Sequence, residues 1–112
     1  MRRISYVPDK GEVVWLDFDP QAGHEQSGRR PAFVVSPHSY NKRTSLMLCC
    51  PITTQVKGYP FEVAVEDGVR GVILADQVKS LDWQVRRAEK KGKASKEVLE
   101  EVIAKIRAVL EG

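Results

Sequence analysis

A chain of 112 residues with 42% hydrophobic content suits one modest core and is short for more than one domain, so a single domain over residues 1–112 is expected. Its 18 basic and 15 acidic residues leave a net charge of +3, which permits an anionic partner without demanding one. No apolar run approaches the roughly 20 residues that span a bilayer. The opening MRRISYVPDKGE has charge but no apolar h-region, so the expectation is no signal peptide, no membrane and a cytoplasmic setting.

The first ten residues read as an arm restricted by Pro8, and Gly11 opens a strand over 12–18, EVVWLDF, rich in strand formers. Asp19-Pro20 is turn chemistry. Residues 23–31, GHEQSGRRP, read as a charged loop, and PAFVVS over 31–36 as a buried strand stopped by Pro37. Residues 38–44 are polar and fit one short helical turn. The run SLMLCCPIT over 45–53 is the next strand, with Pro51 inside it predicting a bulge or an edge. Cys49 and Cys50 would point to opposite faces of that strand. A bridge between them is not expected, and reduced core thiols are. No cysteine or histidine spacing suits a metal.

Residues 54–60 form a loop with Lys57, Gly58 and Tyr59. In FEVAV, residues 61–65, Phe61, Val63 and Val65 share one face. Glu66-Asp67-Gly68 signals a turn. GVILA over 71–75 is a compact strand ending at Asp76, residues 78–82 read as a short turn, and 83–88 as a final strand before the basic stretch Lys90-Lys91-Gly92-Lys93. One helix is clear. Ser95 caps it, Glu97 sits in its first turn, and Val98, Leu99, Val102, Ile103, Ile106, Val109 and Leu110 recur at helical spacing. Glu100, Glu101, Lys105 and Arg107 fall largely on the other face. Short strands followed by one amphipathic helix predict a mainly β (β+α) chain, a small curled sheet or barrel with a helix packed on it. A second copy would help so small a chain bury surface.

The loop 23–31 holds the parts for metal-free RNA cleavage. In that reaction a 2′-hydroxyl attacks its own phosphate. A base must take the hydroxyl proton, an acid must protonate the leaving 5′-oxygen, and a cation must stabilise the dianionic phosphorus centre. Glu25 suits the base. Arg30 suits the phosphate, because its planar fork donates two hydrogen bonds at once. His24 is the easier proton donor, since a free imidazole titrates at about 6.5 whereas a guanidinium holds its proton. The hydroxyls of Thr53 and Thr54 suit a phosphate or a base edge, and Gln77 suits a base edge. Arg29, Lys57, Lys79 and Arg86 are further candidate RNA contacts. With Arg87, Lys90, Lys91 and Lys93, the last two make a basic group that could track a nucleic-acid backbone. Plainer readings stand beside each of these. Glu25 and Arg30 would make a surface ion pair contributing roughly 0–1 kcal/mol, and the basic group a solvated face. The threonines would be strand ends, Gln77 a capping amide, and Trp15 and Trp83 core aromatics.

YVPDKGEVVWLDFDP, GHEQSGRRP, PITTQVKGYPFEV and GVILADQVKSLDW, in that order and followed by the helix, resemble the MazF/PemK-type ribonuclease toxins of bacterial toxin–antitoxin systems over essentially the whole chain. The resemblance implies an SH3-like β-barrel with a C-terminal α-helix, assembled as a homodimer. It implies a metal-independent, cofactor-free endoribonuclease. Such an enzyme cuts single-stranded RNA, mainly mRNA, at short sequences, leaves 2′,3′-cyclic phosphate and 5′-hydroxyl ends, and so inhibits translation. An ACA-like triplet is the guess for the cut sequence. The implied partner is an antitoxin with an acidic extended tail covering the RNA site, and promoter DNA is bound only by the two together. The family's catalytic carboxylate, arginine and threonine match Glu25, Arg30 and Thr53. Gln26 lies in the same motif, and Asp76 and Gln77 match a segment contributing to the site or to RNA contact in some relatives. His24 is shared with a PemK-like branch, whose strand arginine is Leu74 here, so that branch's assignment of acid and base does not transfer. Two other functions are open to these residues: a non-catalytic small barrel that binds nucleic acid or protein, and a gyrase-directed toxin of the same fold.

Overall fold

The computed structural model describes residues 6–17, 29–65 and 70–112. Its strands are β1 (Glu12–Asp17), β2 (Arg29–Val34), β3 (Leu46–Thr53), β4 (Glu62–Ala64), β5 (Val72–Leu74), β6 (Lys79–Asp82) and β7 (Glu89–Lys93). Helix α1 (His38–Thr44) lies between β2 and β3, and α2 (Lys96–Glu111) follows β7. All pairings are antiparallel, in the order β4-β5-β3-β2-β1-β7, with β6 also on β3. The mainly β architecture with a C-terminal helix is as expected. Among the described residues no pairing joins β4 to β7, so the sheet is open there and no closed SH3-like barrel is formed by these strands.

Strand alternation divides the apolar residues between two cores. Val13, Phe33, Cys50, Ile52, Val63 and Ile73 face α2, which contributes Val98 and Val102 with Leu99, Ile103 and Ile106 beside them. Val14, Leu16, Ala32, Val34, Met47 and Cys49 face the other way, onto Trp83, Tyr6 and Val7. Both faces of the central strands are therefore covered, and these strands read as continuous apolar runs. The two cysteines fall in opposite cores, free and buried, and burial pushes each thiol up to about 12.

Ser95 accepts a 3.2 Å hydrogen bond from Val98 N, as a helix cap should. The last turn of α2 overhangs the sheet, leaving Val109 and Leu110 exposed although both keep the helical spacing of the buried residues. Asn41 on α1 is fully buried. Its amide nitrogen donates to Pro8 O at 2.9 Å and Ser36 O at 3.0 Å, Ser36 Oγ donates to its Oδ1 at 2.6 Å, and its own carbonyl accepts from Trp83 Nε1 at 2.9 Å. One residue, through its side-chain amide and its main-chain carbonyl, thus ties the N-terminal arm and α1 to Trp83. The arm is further held by Tyr6, whose hydroxyl donates to Glu12 and whose proton is retained well above the usual phenol range by burial and that carboxylate.

Three local expectations are corrected. Residues 79–82 form a strand rather than a turn, because they pair with β3 from Leu46 to Cys49. Residues 83–88, expected as the final strand, form turns: the Asp82 carboxylate accepts from Gln84 N and Val85 N at 2.9 Å each, and Arg87 takes a left-handed φ of 53°. The basic stretch is instead the strand β7, recruited by β1 with a register shift between Val13 and Val14. At Pro51 no shift occurs in the β2–β3 register. The proline falls where β3 changes partner, between Cys49 opposite Lys79 of β6 and Ile52 opposite Ile73 of β5, so its missing N–H lies in a gap in the pairing.

Candidate nucleic-acid site

The motif 23–31 is not all loop. Strand β2 begins at Arg29, so Arg29 and Arg30 are strand residues, opposite Asp17 and Leu16 of β1. On the other side Ala32 pairs with Pro51, and continuing that antiparallel register brings Arg30 opposite Thr53 at the end of β3. Arg30, Thr53, Thr54, Gln55 and Arg70 line one cleft of about 460 Å³, with Arg29 at its margin. Among the described residues neither the Arg30 nor the Arg70 side chain has an ion-pair or hydrogen-bond partner, and Glu25, the partner in the plain reading of Arg30, lies outside them. Gln55 N donates to Thr53 Oγ1 at 3.1 Å, which leaves the threonine O–H to donate elsewhere.

The cleft floor is tight because of a glycine. Gly71 has φ +120°, and a Cβ there would sit 2.5 Å from Thr53 O and 3.4 Å from Ile52 Cγ2. Only a residue without a side chain lets β5 lie this close to β3. Arg70 and Thr53 are brought to one wall by that approach.

Arg29 differs from Arg30. Its guanidinium donates to Asp17 Oδ1 at 3.0 Å, Glu89 Oε1 at 2.8 Å and Arg87 O at 3.0 Å. Arg87 Nε holds the other Asp17 oxygen at 2.9 Å, and together Arg87 and Arg29 keep the Asp17 carboxyl below the usual carboxylate range. Arg86 joins the same corner, donating from Nη1 to Asp17 O at 3.1 Å while its own carbonyl accepts from Asp17 N at 2.9 Å. Arg29 and Arg86, expected as RNA contacts, thus sit in a clamp across the stem where β1 ends and β2 begins.

A second hollow of about 210 Å³ shares Thr53 and Gln55 with the cleft and continues to Lys57, Tyr59, Phe61, Leu74, Asp76 and Gln77. Its rim loop is fixed by the Glu62 carboxylate, which accepts from Lys57 N at 2.9 Å and Gly58 N at 3.0 Å, and by Lys105 Nζ donating to Pro60 O at 2.7 Å. The exposed ring of Tyr59 and the polar edges of Gln55 and Gln77 give this hollow the means to stack on and hydrogen-bond a base. Lys79, at the start of β6, lines neither depression. Elsewhere on the surface, Lys91 Nζ lies 4.9 Å over the Trp15 ring, while Trp83 is a core aromatic.

The structure therefore gathers Arg30, Thr53, Thr54, Lys57, Asp76 and Gln77 along two connected depressions. His24, Glu25 and Gln26 lie outside the described residues. Among the described residues no group of three or more His, Cys, Asp or Glu is placed to hold a metal ion. Sequence reasoning missed Arg70, Gln55 and Tyr59 as lining residues, and read Arg70 only as the way out of a turn. The one signal that could have found it is the glycine that follows.

The chain and its fold have counterparts among known proteins. The model of the PemK-like, MazF-like toxins of type II toxin–antitoxin systems matches residues 9–110. The endoribonuclease toxin MazF of Escherichia coli strain K12 is 54% identical over 106 residues, 94% of this chain and 96% of that protein. The crystal structure of MazF (Form-I) from Deinococcus radiodurans superposes with a TM-score of 0.85 at 55% identity, covering 96% of this chain and 100% of that one. A MazE-MazF complex (Form-II) from the same organism gives a TM-score of 0.85 at 50% identity, over 95% of this chain and 97% of that one. With the family model matched across nearly all of its length, the chain belongs to the PemK-like, MazF-like toxin family of type II toxin–antitoxin systems.

Proposed function

We propose that this chain, acting as one domain, is an endoribonuclease toxin that cuts single-stranded RNA without a metal ion, through attack of a 2′-hydroxyl on its own phosphate. The class of activity follows from the family and from relatives named as endoribonucleases. The observation that carries the mechanism is the placement of Arg30, whose guanidinium has no partner among the described residues, beside Thr53 in one open cleft. Arg30 clamps the phosphate and balances the charge that grows on it, and the Thr53 hydroxyl donates to a phosphate oxygen. Glu25 takes the 2′-hydroxyl proton and His24 returns one to the leaving 5′-oxygen. The products carry 2′,3′-cyclic phosphate and 5′-hydroxyl ends. The hollow from Thr53 to Gln77 holds a base next to the cut, which is the source of sequence preference.

The setting is cytoplasmic, the active form a homodimer, and the partner a cognate antitoxin whose acidic extended tail lies in the cationic cleft. A MazF relative crystallised with MazE supports that partner. Promoter DNA is met only as part of the toxin–antitoxin complex. No helix among the described residues is long and apolar enough to cross a membrane.

The deciding experiment incubates the purified protein with a long RNA in excess chelator and maps the cut positions and end chemistry. Cleavage at a short motif with cyclic phosphate ends is expected, and Arg30→Ala should abolish it while leaving the fold intact. A strict Mg²⁺ requirement would overturn the mechanism. Intact transcripts together with arrested DNA supercoiling would overturn the substrate.

A further inference from the structure

We infer that Arg70 is a second phosphate-binding residue of the cleft, gripping the RNA backbone opposite Arg30. The inference rests on the reading of the cleft as an RNA site and deepens it. Three observations converge on this residue. Arg70 lines the same cleft as Arg30 and Thr53. Among the described residues it is exposed and has no ion-pair or hydrogen-bond partner, whereas Arg29 at the margin is held by Asp17 at 3.0 Å and Glu89 at 2.8 Å. Its backbone is anchored at the rim, because the next residue, Gly71, lies against Thr53 O and accepts from Val65 N at 3.2 Å.

The cleft thus has two guanidiniums that no carboxylate of the described residues neutralises. A strand threaded along it meets fork-shaped donors from β2 on one side and from the start of β5 on the other. Arginine forks suit phosphate oxygens, and such contacts hold a backbone in register without reading its bases. Arg70 therefore contributes affinity for every RNA alike and leaves the choice of cut sequence to the neighbouring hollow.

The test uses an RNA oligonucleotide containing the mapped cut site with a 2′-deoxy sugar at the attacking position, so that it binds without being cut. Affinity is measured by fluorescence anisotropy from about 50 to about 200 mM salt. Each phosphate contact on a single strand contributes about 0.7 to the slope of log affinity against log salt. Arg70→Gln should lower that slope by about 0.7 and weaken binding about fivefold at about 0.1 M salt. Its KM should rise in proportion with kcat nearly unchanged, and Arg70→Lys should restore the slope, because a point charge releases the same counterion. An unchanged melting temperature in Arg70→Gln checks that the fold is intact. A parental slope in Arg70→Gln would overturn the assignment, and so would a loss confined to kcat. If the parent neither binds nor cuts RNA, the reading of the cleft itself fails. If the parent cuts, Arg30→Ala does not, and Arg70→Gln keeps the full slope, only the role of Arg70 fails.

Discussion

Replacing Gly71 with alanine tests whether the closeness of β5 to β3 builds the cleft. The new methyl would adopt φ +120°, a backbone region that costs a non-glycine residue about 1–3 kcal/mol. It would also stand 2.5 Å from Thr53 O, so the strands must part by about 0.5 Å to reach even a tight 3.0 Å contact. Overpacking of this kind costs a further 1–3 kcal/mol or so, which gives a combined loss of about 4 kcal/mol. For a chain of this size that lowers the melting temperature by about 15 °C. The part that moves carries Thr53, so RNA cleavage should fall at least about tenfold beyond any loss of folded protein. Urea denaturation read by tryptophan fluorescence, with cleavage measured well below the transition, separates the two effects. Gly58→Ala is the control for stability: its φ of +79° is also left-handed, but nothing lies within 4 Å of the added methyl, so only the backbone cost of about 1–2 kcal/mol remains. Equal stability losses for the two alanine variants, or a Gly71→Ala protein that cuts at the parental rate, would refute the reasoning.

Asp17→Asn removes the carboxylate that Arg87 and Arg29 share and should cost about 1 kcal/mol near neutral pH. Because the folded state holds this carboxyl below its ordinary value, the parent's advantage is complete above about pH 4 and fades as pH falls through the lowered value. Paired denaturation curves from neutrality into acid follow it, and a difference that stays constant in acid would exclude the clamp. Asn41→Ala should cost about 3 kcal/mol, since it strands the Pro8 and Ser36 carbonyls and the Ser36 hydroxyl in the interior. Equilibrium unfolding measures it, and a loss below about 1 kcal/mol would show that the amide is not a structural tie.

The fold was legible where a segment's own residues decide its state. Strands β1, β2 and β3 carry enough apolar residues to announce themselves, and α2 shows its cap and its spacing. Residues 79–93 were not legible, because their state is decided by partners. Lys90, Lys91, Gly92 and Lys93 have no strand pattern of their own and become β7 only because β1 needs a neighbour, while Trp83 is drawn inward by Asn41 and cannot continue a strand. Of the candidate site only part can be compared, because His24, Glu25 and Gln26 lie outside the described residues. Arg30 and Thr53 stood out by their motifs, and the register then placed them together. The engagement of Arg29 with Asp17 and Glu89 could not be seen, because 60 residues separate Arg29 from Glu89 along the chain. Arg70 was hidden for the same reason, since its cleft exists only once β5 meets β3.

Strand β7 ends the described sheet, and its outer border carries Lys90, Lys91 and Lys93. Two copies brought border to border would set these ammonium groups against one another, so that side of the molecule resists fusing with a like sheet. The protection is electrostatic and fades as dissolved ions screen it over distances of about 3 Å at 1 M. Concentrated brine therefore weakens this guard against edge-to-edge clumping of the folded toxin.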